Sequence, residues 1–167
     1  MYTTRVSRRV RAPRRAVYRT LLDPEAVARW RVPDGMSCEV HSFDARAGGR
    51  FRVSLRYGDP AATGKSAEHT DTYSGVFTEL VPDERVVEEL AFETAAPALA
   101  GTMRLTTTLT ETGDGSTEIA MVHEGVPDGV RPEDNETGTR MALDALARLV
   151  EEPPAAAGPT GPAAGPA

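Results

Sequence analysis

Few residues in this sequence carry reactive side chains, and the most informative of them lie on stretches that alternate with a period of two. Glu88 falls in the run from Arg85 to Phe92, where strand parity sets its carboxylate on one face with Val86, Leu90 and Phe92. On an inward face it would serve as a polar anchor or as an acid/base group. Left unpaired among those apolar neighbours it would be costly. A one-residue slip that turns Glu88 to solvent is therefore the expected arrangement. His123 shares parity with Ile119 and Met121. It could hydrogen-bond a ligand or take a proton, and the plainer expectation is a satisfied histidine at a strand end, on the rim of a pocket. Glu88 with His123 is the one visible acid/base pair.

Other chemistries lack their residues. His41, His69 and His123 fall on separate segments without paired-ligand spacing, and Cys38 is the single cysteine, so no metal site is expected. Cys38 stands beside Glu39 with no activating cation next to it in sequence. There is no Gly-x-Ser-x-Gly turn and no phosphate-binding glycine loop. No cofactor is called for.

The elements that must position these residues follow from the pattern. Thr3 to Arg11 alternates in part, with Val6 and Val10 on one side and Arg5, Arg9 and Arg11 on the other. Pro13 suits a first helical residue, and Val17, Tyr18, Leu21 and Leu22 follow at helical spacing. Asp23-Pro24-Glu25 restarts a second, short helix ending near Trp30. Period two then governs 37–43, 49–57, 70–80, 85–94, 101–111 and 116–124. These segments are parted by turn signals, of which Gly113-Asp114-Gly115 is the strongest and Gly58–Ser66 the longest. Short turns between successive strands predict an antiparallel meander. Pro132, Glu133, Asp134 and Glu136 open the longest helix, whose apolar stripe is Leu143, Leu146 and Val150, flanked by Ala142, Ala145 and Leu149. That stripe needs a large apolar surface, and the concave face of the sheet is the one available. The expected fold is α+β of the helix-grip type: about seven curved antiparallel strands wrapped round a long C-terminal helix, with two short helices after strand one.

Parity also nominates the side chains that face the space between sheet and helix. They are Phe51, Val53, Leu55 and Tyr57; Tyr73, Gly75 and Phe77; Val86, Glu88, Leu90 and Phe92; Met103, Leu105, Thr107 and Leu109; and Ile119, Met121 and His123. Met103 and Met121, on strands joined by the Gly113-Asp114-Gly115 turn, are expected close together, with Met141 of the long helix near the same wall. Trp30 is expected to plug one mouth of the cavity. The candidate ligand-binding set is Trp30, Phe51, Val53, Tyr73, Phe77, Glu88, Phe92, Met103, Met121, His123 and Met141. Aromatics, methionines and a few polar groups are the ordinary lining of a small-molecule site, although the same residues could fill a solid core.

Composition sets the remaining bounds. The chain has 167 residues and a net charge of −6, which predicts one domain over 1–152 and disfavours nucleic acid as a partner. The arginines of 5–15 are expected to be solvent-facing. No run approaches the length of a membrane span, no signal-like apolar stretch follows Met1, and the lone cysteine fits the reducing cytoplasm. Residues 153–167, rich in Pro, Gly and Ala, are expected to form a disordered tail.

The order of motifs resembles a known family. Ala12-Pro13, Val17, Leu21 and Asp23-Pro24-Glu25 leading to Trp30 look like the opening of the heat-shock-protein-90 ATPase activator homologues, within the START-like (SRPBCC) superfamily. The likeness continues through Phe43-Asp44, Arg46, Gly48-Gly49-Arg50-Phe51, Tyr73-Ser74-Gly75, Glu79, Pro82 and Arg85-Val86-Val87. It ends with Thr117 and His123-Glu124-Gly125, so that it covers about residues 5–150. One departure is Thr137-Gly138-Thr139, where many relatives carry a Gly-Trp pair. The resemblance implies a cavity between sheet and last helix, which in related families holds lipids, hormones or polyketide intermediates. The family's name implies co-chaperone action and a stress response. The function expected is non-catalytic binding of a small hydrophobic molecule in that cavity. The alternatives are a polyketide cyclase or dehydratase using the same cavity, and a co-chaperone-like module with a chaperone partner.

Overall fold

The computed structural model describes residues 1–58 and 69–151. The expected tail at 153–167 and most of the Gly58–Ser66 connection lie outside the described residues. Strand β1 spans Tyr2–Val10, helix α1 Arg14–Leu21 and helix α2 Pro24–Trp30. The meander follows as β2 (Met36–Phe43), β3 (Arg50–Tyr57), β4 (Thr70–Val81), β5 (Arg85–Phe92), β6 (Met103–Glu111) and β7 (Thr117–Val126). Helix α3 closes the domain over Pro132–Glu151. The seven strands form one antiparallel sheet in the order β1-β7-β6-β5-β4-β3-β2, curved about α3 as the helix-grip reading requires.

Local chemistry explains the joints. Asp23 caps α2, its carboxylate accepting from the Glu25 N–H at 3.0 Å. Pro13 sits one position earlier than read from sequence: its extended backbone makes it the residue before α1. At the β6–β7 turn both Gly113 and Gly115 take positive φ, and Asp114 Oδ1 accepts from the Ser116 N–H at 3.0 Å and the Thr112 hydroxyl at 2.6 Å. Gly75 lies opposite Phe51, and a Cβ there would fall 2.8 Å from the Phe51 ring and 2.2 Å from the Glu89 carbonyl oxygen. Its missing side chain is what lets that ring approach β4 so closely.

The inner face is the core. Phe51, Val53, Tyr73, Phe77, Val86, Leu90, Met103, Leu105, Leu109, Ile119 and Met121 are all buried, as parity predicts. Helix α3 presents Thr139, Ala142, Leu143, Leu146 and Ala147 to them, while Leu149 and Val150 are half-buried, so its inner stripe is turned slightly from the expected one. Phe51, Phe77, Phe43 and Tyr73 form an aromatic cluster with ring centroids 5.1–6.4 Å apart. Helix α3 and the turn before it are tied to β1: Tyr2 donates to the Val130 carbonyl, Thr4 donates to Asn135, and Arg8 Nη1 lies 2.7 Å from Asp144. The other arginines of this stretch are on the surface, Arg9 pairing with Asp114 and Arg11 with Glu151.

Candidate functional site: a cavity between sheet and last helix

Helix α3 and the sheet do not close completely on one another. Between them lies a cavity of about 720 Å³, within the ~300–1,000 Å³ of small-molecule sites. Its sheet wall is Leu55, Tyr73, Leu90, Phe92, Met103, Leu105, Met121 and His123. Its helix wall runs from Asn135 to Ala142, and Trp30 and Arg31 close it at the end of α2. Of the candidates read from sequence, Trp30, Tyr73, Phe92, Met103, Met121, His123 and Met141 stand on this wall together. Phe51, Val53 and Phe77 do not; they are buried in the core, the two phenylalanines in the aromatic cluster. Register also separates the sheet methionines. Met121 pairs with Thr107 and His123 with Leu105, so Met103 meets the cavity further along β6 instead of facing Met121.

Glu88 is the main correction. The slip expected to turn it outward does not occur: β5 pairs without interruption with β6, placing Glu88 opposite Leu105, and the irregularity lies in β4 between Phe77 and Glu79. Glu88 is 4% exposed. Its carboxylate Oε1 accepts from Arg31 Nη1 at 2.7 Å, so the charge is paired. Sequence reasoning missed Arg31. The signal was available, because a carboxylate on an inward parity demands a cation, and Arg31 directly follows the buried Trp30. Glu88 itself stands off the wall and reaches the cavity through Arg31, which lines it.

Arg31 is the centre of the electrostatics. Its guanidinium carbon lies 5.2 Å from the Tyr73 ring centroid and 6.0 Å from that of Phe51. Burial is the largest single influence and opposes its charge, but the Glu88 carboxylate together with Tyr73 and Cys38 outweighs burial and raises its pKa. Around it, burial pushes the Tyr73 hydroxyl up to about 12 and the Cys38 thiol up to about 11, against the pull of Arg31 in both cases. Burial, aided by the Arg31 charge, lowers His123 to about 4. At neutral pH the phenol keeps its proton and the imidazole is uncharged.

His123 was expected to be satisfied, and it is not. Its Nδ1 is buried without a hydrogen-bond partner, as are Trp30 Nε1 and the Tyr73 hydroxyl. All three side chains line the one cavity. A buried polar group without a partner costs about 1–3 kcal/mol, and native interiors hold few of them. Among the described residues no group of histidine, cysteine, aspartate and glutamate could hold a metal ion, and no helix is long and apolar enough to cross a membrane.

The family model described as activator of Hsp90 ATPase homolog 1-like protein matches residues 11–151. The chain belongs to this family. Protein CV1439 from Chromobacterium violaceum is 34% identical, with 91% of this chain and 99% of that one covered and a TM-score of 0.80. A protein from Arthrobacter aurescens is 15% identical, with 92% and 88% covered and a TM-score of 0.76. DynU16, described as a putative protein in the dynemicin biosynthetic locus, is 21% identical, with 91% of this chain and 48% of that chain covered and a TM-score of 0.64. The last two likenesses are of fold alone. No curated protein matches the chain. The activator-homologue family thus accounts for the motif order from Ala12-Pro13 to the last helix.

Proposed function

We propose that this member of the family binds a small, mainly apolar molecule in the cavity between sheet and α3, without turning it over. The observation that carries this reading is the set of three partnerless polar atoms on the cavity's own side chains, Trp30 Nε1, Tyr73 Oη and His123 Nδ1. A bound molecule would lie beside these three side chains, while Leu90, Phe92, Met103 and Met121 cover its apolar body. The titration of the wall supports binding over catalysis. An imidazole held near 4 is a weak base at neutral pH, and a phenol near 12 is a weak acid.

A chaperone partner, which the family's name brings to mind, would need a docking face. Among the described residues Met1 is the one large hydrophobic side chain that is exposed, which favours the interior site over an apolar outer surface. The single cysteine supports a cytoplasmic setting.

Native mass spectrometry of freshly purified protein tests the proposal. A mass above that of the polypeptide, released as a small apolar compound on organic extraction, is the expected result. Bare polypeptide from every expression host, with steady conversion of added ketide substrates, would replace binding by catalysis.

A further inference from the structure

Helix α3 carries a glycine that its own packing does not explain. Gly138 lies inside the 20-residue helix, where glycine weakens the helix relative to alanine. Other described glycines are explained by a positive φ, as at Gly35, Gly48, Gly113 and Gly115, or by a close neighbour. At Gly49, Gly75 and Gly129 an added Cβ would meet backbone at 2.0, 2.2 and 2.5 Å. At Gly138 it would meet no atom of the described residues within 4 Å, the helix's own neighbouring backbone apart. Gly138 is half-buried and stands on the cavity wall between Thr137 and Thr139, with open space in front of it.

The charges of that wall restrict what can enter. Arg31 is paired with Glu88, and Arg131, at the exposed end, lies 3.2 Å from Asp134. A ligand anion would compete with these carboxylates for cations already held. Trp30 Nε1 can only donate, so the partner it lacks is an acceptor atom.

We propose that Gly138 is the specificity-determining residue of the cavity: its bare backbone leaves room for the body of an uncharged, oxygen-bearing apolar molecule, whose keto or hydroxyl oxygen takes the donors at the Trp30 end. The proposal rests on the binding function given above. It explains why a less stable helix is retained: alanine would strengthen α3 but intrude on the occupant. The bulk at position 138 sets the width of ligand that the cavity accepts.

The test uses Nile red, an uncharged planar ketone, titrated by fluorescence into wild type and into Gly138→Ala, Gly138→Leu and Met121→Trp, with decanol and decanoate as competitors. Gly138→Ala should melt roughly 2–4 °C higher than wild type yet bind Nile red several-fold more weakly. Gly138→Leu should bind at least tenfold more weakly, and decanol should displace the dye at least tenfold better than decanoate. The alanine variant keeps the test sound should the leucine variant fold poorly. Wild-type affinity in both Gly138 variants, with binding lost in Met121→Trp, would overturn the role of Gly138 and leave the binding function standing. Better competition by decanoate would overturn the uncharged class. Absence of dye binding to wild type would remove both the inference and the function beneath it.

Discussion

Arg31 Nη1 and Glu88 Oε1 lie 2.7 Å apart, joining the end of α2 to the middle of the sheet. The side chains are 16% and 5% exposed, so this is a buried pair. The Coulombic gain of such a pair is set against a large desolvation cost, and breaking it from one side is worse than removing it whole.

Glu88→Ala should therefore destabilise the protein by about 3–5 kcal/mol, because it strands the Arg31 charge. The double variant Arg31→Met, Glu88→Leu should recover most of that loss. Urea unfolding measures both; a double variant as unstable as the single one would show that packing, not charge, holds the joint.

Phe51→Ala should cost about 3–5 kcal/mol, since the ring is 2% exposed and packed on Phe77. Arg52→Ala, on the outer face, removes only an exposed bridge to Glu93 and should cost far less. Equal losses in chemical denaturation would contradict the assigned faces of β3.

Much of this was legible because strand parity is a local property. The alternation of Phe51, Arg52 and Val53 fixes a face without reference to anything distant, and Gly113-Asp114-Gly115 fixes the last hairpin by its own backbone needs. Parity does not say where along a face the helix lifts away, so Phe51 and Phe77 could not be told from Tyr73 and Phe92. Glu88 shows a different limit. Parity pointed inward, correctly; the objection was energetic, and its answer lay in Arg31, 57 residues away in sequence.

His123 gives the domain a one-sided pH response. Its pKa is near 4 in the fold against an ordinary 6.5, so between those values the unfolded chain binds more protons than the native one. Stability is then full above about pH 6.5 and falls as pH drops towards 4, by on the order of 3 kcal/mol from this group. Thermal melts from pH 7 to 4.5 should show that decline, and His123→Phe should flatten it. A decline of unchanged steepness in the variant would assign it to other groups.

The Cys38 thiol, pushed up to about 11, should alkylate slowly at pH 8, because little thiolate is present. The double variant Arg31→Met, Glu88→Leu, which removes the pair whole, should slow iodoacetamide further, as Arg31 is the group that opposes the rise. Faster labelling than an unfolded control would contradict the burial that raises this thiol.

Whether the space walled by Tyr73, Met103, Met121 and α3 is a binding site is tested most directly by a thermal-shift titration of wild type against Met121→Trp. Met121 is 3% exposed and lines the cavity, so tryptophan there should narrow it. Circular dichroism first confirms that the variant folds. Uncharged flavones, fatty alcohols and polycyclic aromatics are then titrated into both proteins. A ligand of the native state should raise wild-type stability with the logarithm of its concentration, by about 2.7 kcal/mol at a hundred times its Kd. The account predicts such a rise in wild type and its loss, or a Kd at least tenfold weaker, in Met121→Trp. Equal shifts in the two proteins, or none in wild type across the panel, would contradict it.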